Sequence, residues 1–344
     1  MRSQQVVRAL AAIRPDLRIH VRTTAPEWIF HSTITPIHYS YQAIDTGIVQ
    51  SDSLHMELAE TLAACRAIYA NPQKLIDREL PFIKANGIDL IVGDTPPLAF
   101  EIAAQAGLPS VSITNFTWDV IYRAYVAAFP EFAPLIATMT HCYGKATHAL
   151  TLPYTCDPTM FPRQQAIPWI TRRSELTKTQ TRRAFALPQA ETVVLLSFGG
   201  LGLDRLPWKQ MARQREYFFV MTGSGDRRES NLLTLPATQT HYQDLLRAAD
   251  AIVTKPGYGI VADVLAQQVP ILYTDRGDFA EYPRLVAALR DCATAEFIPQ
   301  QELLRGNLSP YLSRLLAKPA HWPDIELNGA QVAAQKILAM LDQG

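Results

Sequence analysis

The sequence predicts an α/β protein built as two similar-sized halves, each a parallel sheet covered by helices, that face one another across a cleft. Three observations carry this. Apolar, strand-like runs alternate with amphipathic helical runs almost throughout the chain. The stretch Leu152–Trp169 holds Pro153, Pro158, Pro162 and Pro168 and breaks the periodicity midway. The 344 residues are also too many for one ordinary core but suit two domains. We therefore expect one domain over residues 1–160 and a second over 161–344, with the last helix packing back on the first domain.

Hydrophobic spacing sets the elements. The first half reads as a helix over Gln4–Ile13, a strand over Leu17–Thr24, a strand-like run over Ile34–Ala43 and a long helical region from Ser53 to Asn86. There follow a strand (Ile88–Asp94), a helix (Pro97–Ala106), a strand (Ser110–Asn115), a helical region to Ala146 and a short strand (His148–Leu152). The second half restarts with the very apolar strand Thr192–Phe198, which runs into Gly199-Gly200-Leu201-Gly202. It continues through a strand (Glu216–Thr222), a helix (Tyr242–Ala249), strands at Ala251–Val253 and Pro270–Tyr273, and a closing helix (Ala330–Leu341).

Composition narrows the function classes. Lys+Arg and Asp+Glu each count 32, so the formal net charge is +0 and nothing favours bulk binding to nucleic acid or an anionic membrane. The four cysteines are scattered without a C-x-x-C pair, which fits neither a zinc site nor a disulfide framework. No apolar run is long enough to span a bilayer, and Met1-Arg2-Ser3 leads straight into a helical pattern without a leader-like apolar segment. A soluble, cytoplasmic protein is expected. The eight histidines show no ligand spacing, so no metal ligand and no cofactor are expected, and there is no G-x-S-x-G nucleophile turn.

The most informative stretch is residues 251–283. A short strand leads into Lys255-Pro256-Gly257-Tyr258-Gly259 and then a helix. A turn of this kind lets a ligand approach the backbone and aims the helix's unpaired N–H groups at an anion. Glycine there could equally serve the turn geometry alone. A second glycine turn, at Gly199 and Gly200, would hold a diphosphate from the other side. Lys255 would neutralise phosphate charge. Acidic groups one element further on, Asp275, Asp278 and Glu281, suit the hydroxyls of a ribose or sugar. Asp263 reads either as a ligand contact or as an acid serving the helix dipole. In the first half, Asp94 ends a strand and would assist deprotonation of a substrate hydroxyl or cap the next helix. Thr114, Asn115, Trp118 and Asp119 follow another strand and would form an acceptor side, although Phe116 and Trp118 are also candidates for the core.

These residues resemble a known family. Thr114-Asn115-Phe116-Thr117-Trp118-Asp119, Phe198-Gly199-Gly200, Lys255-Pro256-Gly257-Tyr258-Gly259, Val269-Pro270, Asp278-Phe279 with Glu281, and Asn328-Gly329-Ala330 are similar to GT-B glycosyltransferases. The likeness is to the branch that adds N-acetylglucosamine to the lipid-linked peptidoglycan precursor. It is stronger still to the glycosyltransferase-like amino-terminal region of plant L-arabinokinase and its stand-alone bacterial relatives. The resemblance implies two Rossmann-like domains with the first amino-terminal strand and its glycine–histidine loop missing, which would leave a central sheet position empty. It implies donor diphosphate contacts from Gly199, Gly200, Gly257 and Gly259. Asp263 stands where the family has a longer glutamate on the donor ribose, and Glu281 where relatives place a polar side chain on the donor sugar. The expected partners are a nucleotide sugar, a UDP-sugar foremost, and an unknown acceptor, with transfer that needs no metal. Two other functions stay open: a silent nucleotide-sugar sensor or partner-binding module, and a nucleotide-sugar epimerase.

Overall fold

The computed structural model describes residues 2–30, 37–51, 56–156, 158–198, 207–223, 227–236 and 240–343. The first half comprises α1 (Arg2–Ile13), β1 (Ile19–Thr23), β2 (Ile37–Tyr41), α2 (Leu58–Tyr69), α3 (Gln73–Asn86), β3 (Ile91–Gly93) and α4 (Leu98–Ala106). It continues with β4 (Ser110–Thr114), α5 (Trp118–Arg123), α6 (Phe132–Tyr143), β5 (His148–Thr151) and β6 (Gln164–Ala166). Helices α3 and α4 stop where Gly87 and Gly107 take left-handed conformations and close the last turn. Every neighbouring strand pair here is parallel, but the strands form two sheets. One is β1-β2 and the other is β3-β4-β5-β6.

The second half comprises α7 (Lys178–Ala184), β7 (Thr192–Ser197), α8 (Trp208–Met211), β8 (Tyr217–Gly223), β9 (Arg227–Glu229), β10 (Leu232–Pro236) and α9 (Tyr242–Ala248). Next come β11 (Ala251–Thr254), α10 (Tyr258–Gln267), β12 (Ile271–Tyr273), α11 (Tyr282–Cys292), β13 (Ala295–Phe297), α12 (Gln300–Leu304), α13 (Ser309–Ala317) and α14 (Gly329–Leu341). One sheet in the order β13-β12-β11-β7-β8-β10-β9 unites them, parallel except for the β9–β10 edge. Its central strands are apolar on both faces, as helices covering both faces require. A capping box between Thr177 and Gln180 starts α7.

An apolar core runs continuously from Val6 and Leu10 of α1 through Val111 and Leu150 to Trp169, Val193 and Leu195. Helix α14 returns to lie against α1, where Arg14 and Asp342 pair at 2.7 Å. Its first residue, Gly329, passes so close to the chain at Pro168 that a Cβ there would meet the Pro168 oxygen at 2.1 Å.

Three details depart from the sequence reading. The short strand β6 extends the first sheet beyond residue 160, because the Pro-rich stretch still pairs with β5 before it crosses over. The antiparallel β9 is too short and polar to show as a strand pattern. Among the described residues, the region read as helical forms two helices, broken between Tyr69 and Gln73. Among the described residues, no backbone hydrogen bond joins β1 to β3, so the first half forms two sheets where the family resemblance leads one to expect a central gap.

Candidate functional site in the interdomain cleft

Strands β7 and β11 are parallel neighbours, with Thr254 opposite Ser197, so both strands end at the same side of the sheet. After β7 come Gly199 and Gly200, which lie outside the described residues. After β11, Lys255 and Pro256 lead to Gly257, the N-cap of α10. Among the described residues, no side chain caps this helix and no acidic residue occupies its first turn, so there its leading N–H groups and positive dipole end meet no built-in anion.

Glycine at 257 is not demanded by the backbone. Gly257 has φ −135, extended backbone open to any residue, and a Cβ at either Gly257 or Gly259 would meet nothing within 4 Å. Among the described residues, nothing lies within reach of either position at the amino end of α10. Neither glycine takes a left-handed conformation, so backbone strain does not require glycine at these two positions.

Two guanidinium groups flank this helix end. Arg276 donates to the Pro256 carbonyl at 3.3 Å and pairs with Glu281 at 2.7 Å, while its plane lies over Phe279. Arg2 lies 5.8 Å from the centre of the Tyr258 ring, which itself stacks on Trp169. Among the described residues, the buried Tyr258 hydroxyl has no hydrogen-bond partner.

A polar chain crosses the cleft at this point. Asn115, at the end of β4, donates its side-chain amide to Glu281 at the start of α11, and its side-chain oxygen accepts from Arg2. Arg2 in turn pairs with Asp94 at 2.6 Å, and Ser3 donates its hydroxyl to the same carboxylate. The chain thus runs Asp94–Arg2–Asn115–Glu281–Arg276 from one domain into the other.

Asp94 is held at the strand end by a strained turn. The next residue, Thr95, has φ 76, an unfavourable conformation for a β-branched residue, and Tyr143 donates to its carbonyl at 2.6 Å. Burial pushes the Asp94 carboxyl up, but Arg2 and Ser3 outweigh it and hold the group below the usual carboxylate range. Asp94 is therefore ionised, and a weak proton acceptor while those partners stay in place.

The other candidates divide sharply. Asn115 and Glu281 join the cleft chain. Thr114 is fully buried and bonds the carbonyl of Phe116, and Asp119 is fully buried and pairs with Arg123 at 2.9 Å. Trp118 stacks on Tyr122 and packs edge-on to Phe116, so it belongs to the core side of its reading. Asp263 lies beyond the first turn of α10, buried, with both oxygens taken by Arg172: the backbone N–H at 2.9 Å on one, and the guanidinium on the other. Asp263 is thus placed beyond the first turn of α10, with its carboxylate already held by Arg172. Lys255 is half-buried beside the turn.

Arg2, Arg276 and Asp45 escaped the sequence reading. Asp45 accepts from the Thr46 N–H at 2.8 Å and the Tyr69 hydroxyl at 2.9 Å, and burial raises its carboxyl to about 6. The residue between Asp275 and Gly277 was the available signal for Arg276: a lone cation in a loop read for its acids. Among the described residues, no group of His, Cys, Asp and Glu could hold a metal ion, and no helix is long and apolar enough to cross a membrane.

Solved glycosyltransferases share this fold over nearly the whole chain. The calicheamicin glycosyltransferase CalG4 superposes with a TM-score of 0.61 at 15% identity, covering 99% of this chain and 90% of its own. Phytolacca americana UGT2, solved with UDP-2fluoro-glucose and pterostilbene, gives 0.59 at 11% identity over 98% and 90%. Arabidopsis thaliana UGT89C1, solved with UDP, gives 0.55 at 15% over 99% and 93%. The fold is GT-B. Among curated proteins, the chain is 29% identical over 339 residues to Arabidopsis thaliana L-arabinokinase, covering 96% of this chain and 32% of that protein. This GT-B chain thus spans about a third of the length of the curated relative it matches. No family profile matches it.

Proposed function

We propose that the chain binds a nucleoside-diphosphate sugar, a UDP-sugar foremost, with the diphosphate at the amino end of α10, and transfers the sugar to an acceptor hydroxyl. The supporting observation is that, among the described residues, nothing lies within reach of Gly257 and Gly259 and no side chain caps the helix end. As the glycosidic bond breaks, negative charge grows on the leaving diphosphate. The α10 N–H groups, Lys255 and Arg276 would meet that charge in place of a metal ion. The sugar would lie towards Glu281 and the acceptor towards Asn115 and Asp94, with closure of the two domains excluding water. Fold neighbours solved with UDP and UDP-2fluoro-glucose support the choice of donor by analogy of fold.

The test is calorimetric titration with UDP of Gly257→Ala and Gly259→Ala beside the unaltered chain. Each methyl enters open space, so folding should survive while the phosphate approach is obstructed, and affinity should fall about tenfold or more, near 1.4 kcal/mol. Unchanged affinity in both variants would remove the site.

One observation favours a second reading, a nucleotide-sugar binder that does not turn over. Asp94 is tied to Arg2 and Ser3 and is a poor base in that state. UDP-sugar binding without release of UDP, across a panel of acceptors, would select it.

A further inference from the structure

The loop between β12 and α11 carries Arg276 and Glu281, yet it is anchored in the opposite half of the chain. Its flanks belong to the second half. Tyr273 pairs with Thr254 in the sheet, and Leu285 and Leu289 of α11 are buried in the same core as Val261 and Leu265 of α10. Between these flanks the chain turns at Gly277, whose φ of 63 is left-handed, and the Phe279 N–H donates back to the Gly277 carbonyl at 2.8 Å. The turn carries Phe279 out of its own half. Its ring is buried in a core cluster whose other buried members all fall within residues 62–161, and it meets Phe116 edge-on at 6.0 Å between centroids.

Three hydrogen bonds from the first half clasp the loop around that ring. The Tyr125 hydroxyl donates to the Asp278 carbonyl at 3.1 Å, the Cys156 thiol to the Ala280 carbonyl at 3.7 Å, and the Asn115 amide to the Glu281 carboxylate. The same ring is a shelf for Arg276, whose guanidinium carbon lies 3.8 Å from the ring centre. That guanidinium reaches the Pro256 carbonyl at 3.3 Å, just ahead of α10, and pairs with Glu281 at 2.7 Å. A packing role alone would ask only for an apolar group of suitable size in the cluster. It would not lay a guanidinium plane on the ring. A buried ring under a charged fork fixes the loop backbone and the direction of the cation together, which removes rotamer freedom that a ligand would otherwise have to freeze.

We propose that Phe279 is a positioning residue of the donor site. Seated in the core of the first half, it sets the loop over residues 275–281 and the plane of Arg276, so the anion site at α10 is completed by a loop anchored across the cleft. This rests on the nucleotide-sugar reading above and gives the contact between the halves a part in donor binding.

The experiment compares Phe279→Ala and Phe279→Leu, the latter also in an Arg276→Ala background, by amide exchange and by calorimetric titration with UDP. In Phe279→Ala, exchange over residues 275–282 should rise about tenfold or more while β7 and β11 stay within about twofold. Phe279→Leu refills the cluster but offers no shelf. It should keep the loop's exchange within about threefold of the unaltered chain and still weaken UDP binding about fivefold. In Arg276→Ala, where the α10 N–H groups remain for the diphosphate, Phe279→Leu should change UDP affinity by less than about 1.5-fold, because the ring acts through the guanidinium. Unchanged loop exchange in Phe279→Ala would overturn the proposal alone, as would full UDP affinity in Phe279→Leu. An equal affinity loss from Phe279→Leu in both backgrounds, the signature of packing only, would overturn it too. Failure of the unaltered chain to bind UDP would instead overturn the nucleotide-sugar reading, and this role with it.

Discussion

Asn115 and Glu281 are hydrogen-bonded across the cleft, the side-chain amide of a β4 residue in one domain donating to a carboxylate at the head of α11 in the other. Both are almost wholly buried, and the second Glu281 oxygen is held by Arg276 at 2.7 Å. The pair therefore both joins the domains and presents the residue proposed to meet the donor sugar. Glu281→Ala leaves the Asn115 amide and the Arg276 guanidinium without their partner, and we expect a loss of about 2–4 kcal/mol of unfolding free energy in urea. Asn115→Ala leaves one carboxylate oxygen unpaired and should cost about 1–3 kcal/mol. A Glu281→Ala variant as stable as the unaltered chain would show that the cross-cleft bond does not form.

Asp263 and Arg172 make a second buried pair, and it bears on the donor site by exclusion. The carboxylate takes both the backbone N–H and the guanidinium of Arg172, which anchors the segment leaving Trp169 to the middle of α10. Removing either partner strands a buried charge, so Arg172→Ala and Asp263→Ala should each cost about 3–5 kcal/mol. The double variant should cost clearly less than their sum. Affinity for UDP in folded Asp263→Ala should stay within about twofold, because the carboxylate is spent inside the protein. A large affinity loss with stability intact would return Asp263 to the ribose.

What could be read from the sequence was whatever repeats within a short window. The apolar runs of β7 and β11, the glycines ahead of α10 and the spacing of α14 are local signals, and each element formed within a residue or two of its expected bounds. Partners were not legible. Arg2 meets Asp94 and Asn115, Asn115 meets Glu281, and Arg172 meets Asp263, all from distant parts of the chain. A charged residue is read as solvated or as a ligand contact until tertiary approach supplies its counter-ion. Asp263 and Asp119 show the consequence, since both looked available and both are paired. The Gly199 and Gly200 contribution to the diphosphate stands as a proposal, since those residues lie outside the described structure.

Asp45 gives a pH signature of known sign. Burial lifts its carboxyl from the ordinary 3.8 to about 6, against the Thr46 N–H and Tyr69 hydroxyl that favour the ionised form. The folded state thus holds a proton that the unfolded chain has already released. Its contribution is fully present below about pH 4 and is lost as pH rises through about 6. Asp94 acts in the opposite sense, being held below its ordinary value. Asp45→Asn keeps an oxygen to accept both hydrogen bonds but cannot ionise. Between pH 4 and 7 its melting temperature should therefore fall less, or rise more, than that of the unaltered chain. Parallel pH profiles for the two proteins would show that Asp45 titrates near its ordinary value.

The same substitution should have opposite effects at two glycines. Gly259 lies in the first turn of α10, where a methyl meets nothing within 4 Å, so Gly259→Ala removes chain entropy from the unfolded state and should stabilise by about 0.4–1 kcal/mol. At Gly329 a methyl would overlap the Pro168 oxygen at 2.1 Å, and the contact is backbone, which no rotamer change can relieve. The Gly329 N–H also donates to the Trp169 carbonyl at 3.0 Å, so any retreat of the chain stretches the bond that starts α14 at the domain junction. Gly329→Ala should therefore cost about 1–3 kcal/mol or more. Because α14 also packs on α1, the loss should appear as weakened association of the two domains, with faster amide exchange in both helices. Urea unfolding of the two variants side by side decides the matter: equal midpoints would mean that the close approach at Pro168 is not made, whereas a rise for Gly259→Ala and a fall for Gly329→Ala follow from one glycine bordering open ground and the other lying under a neighbouring strand of chain.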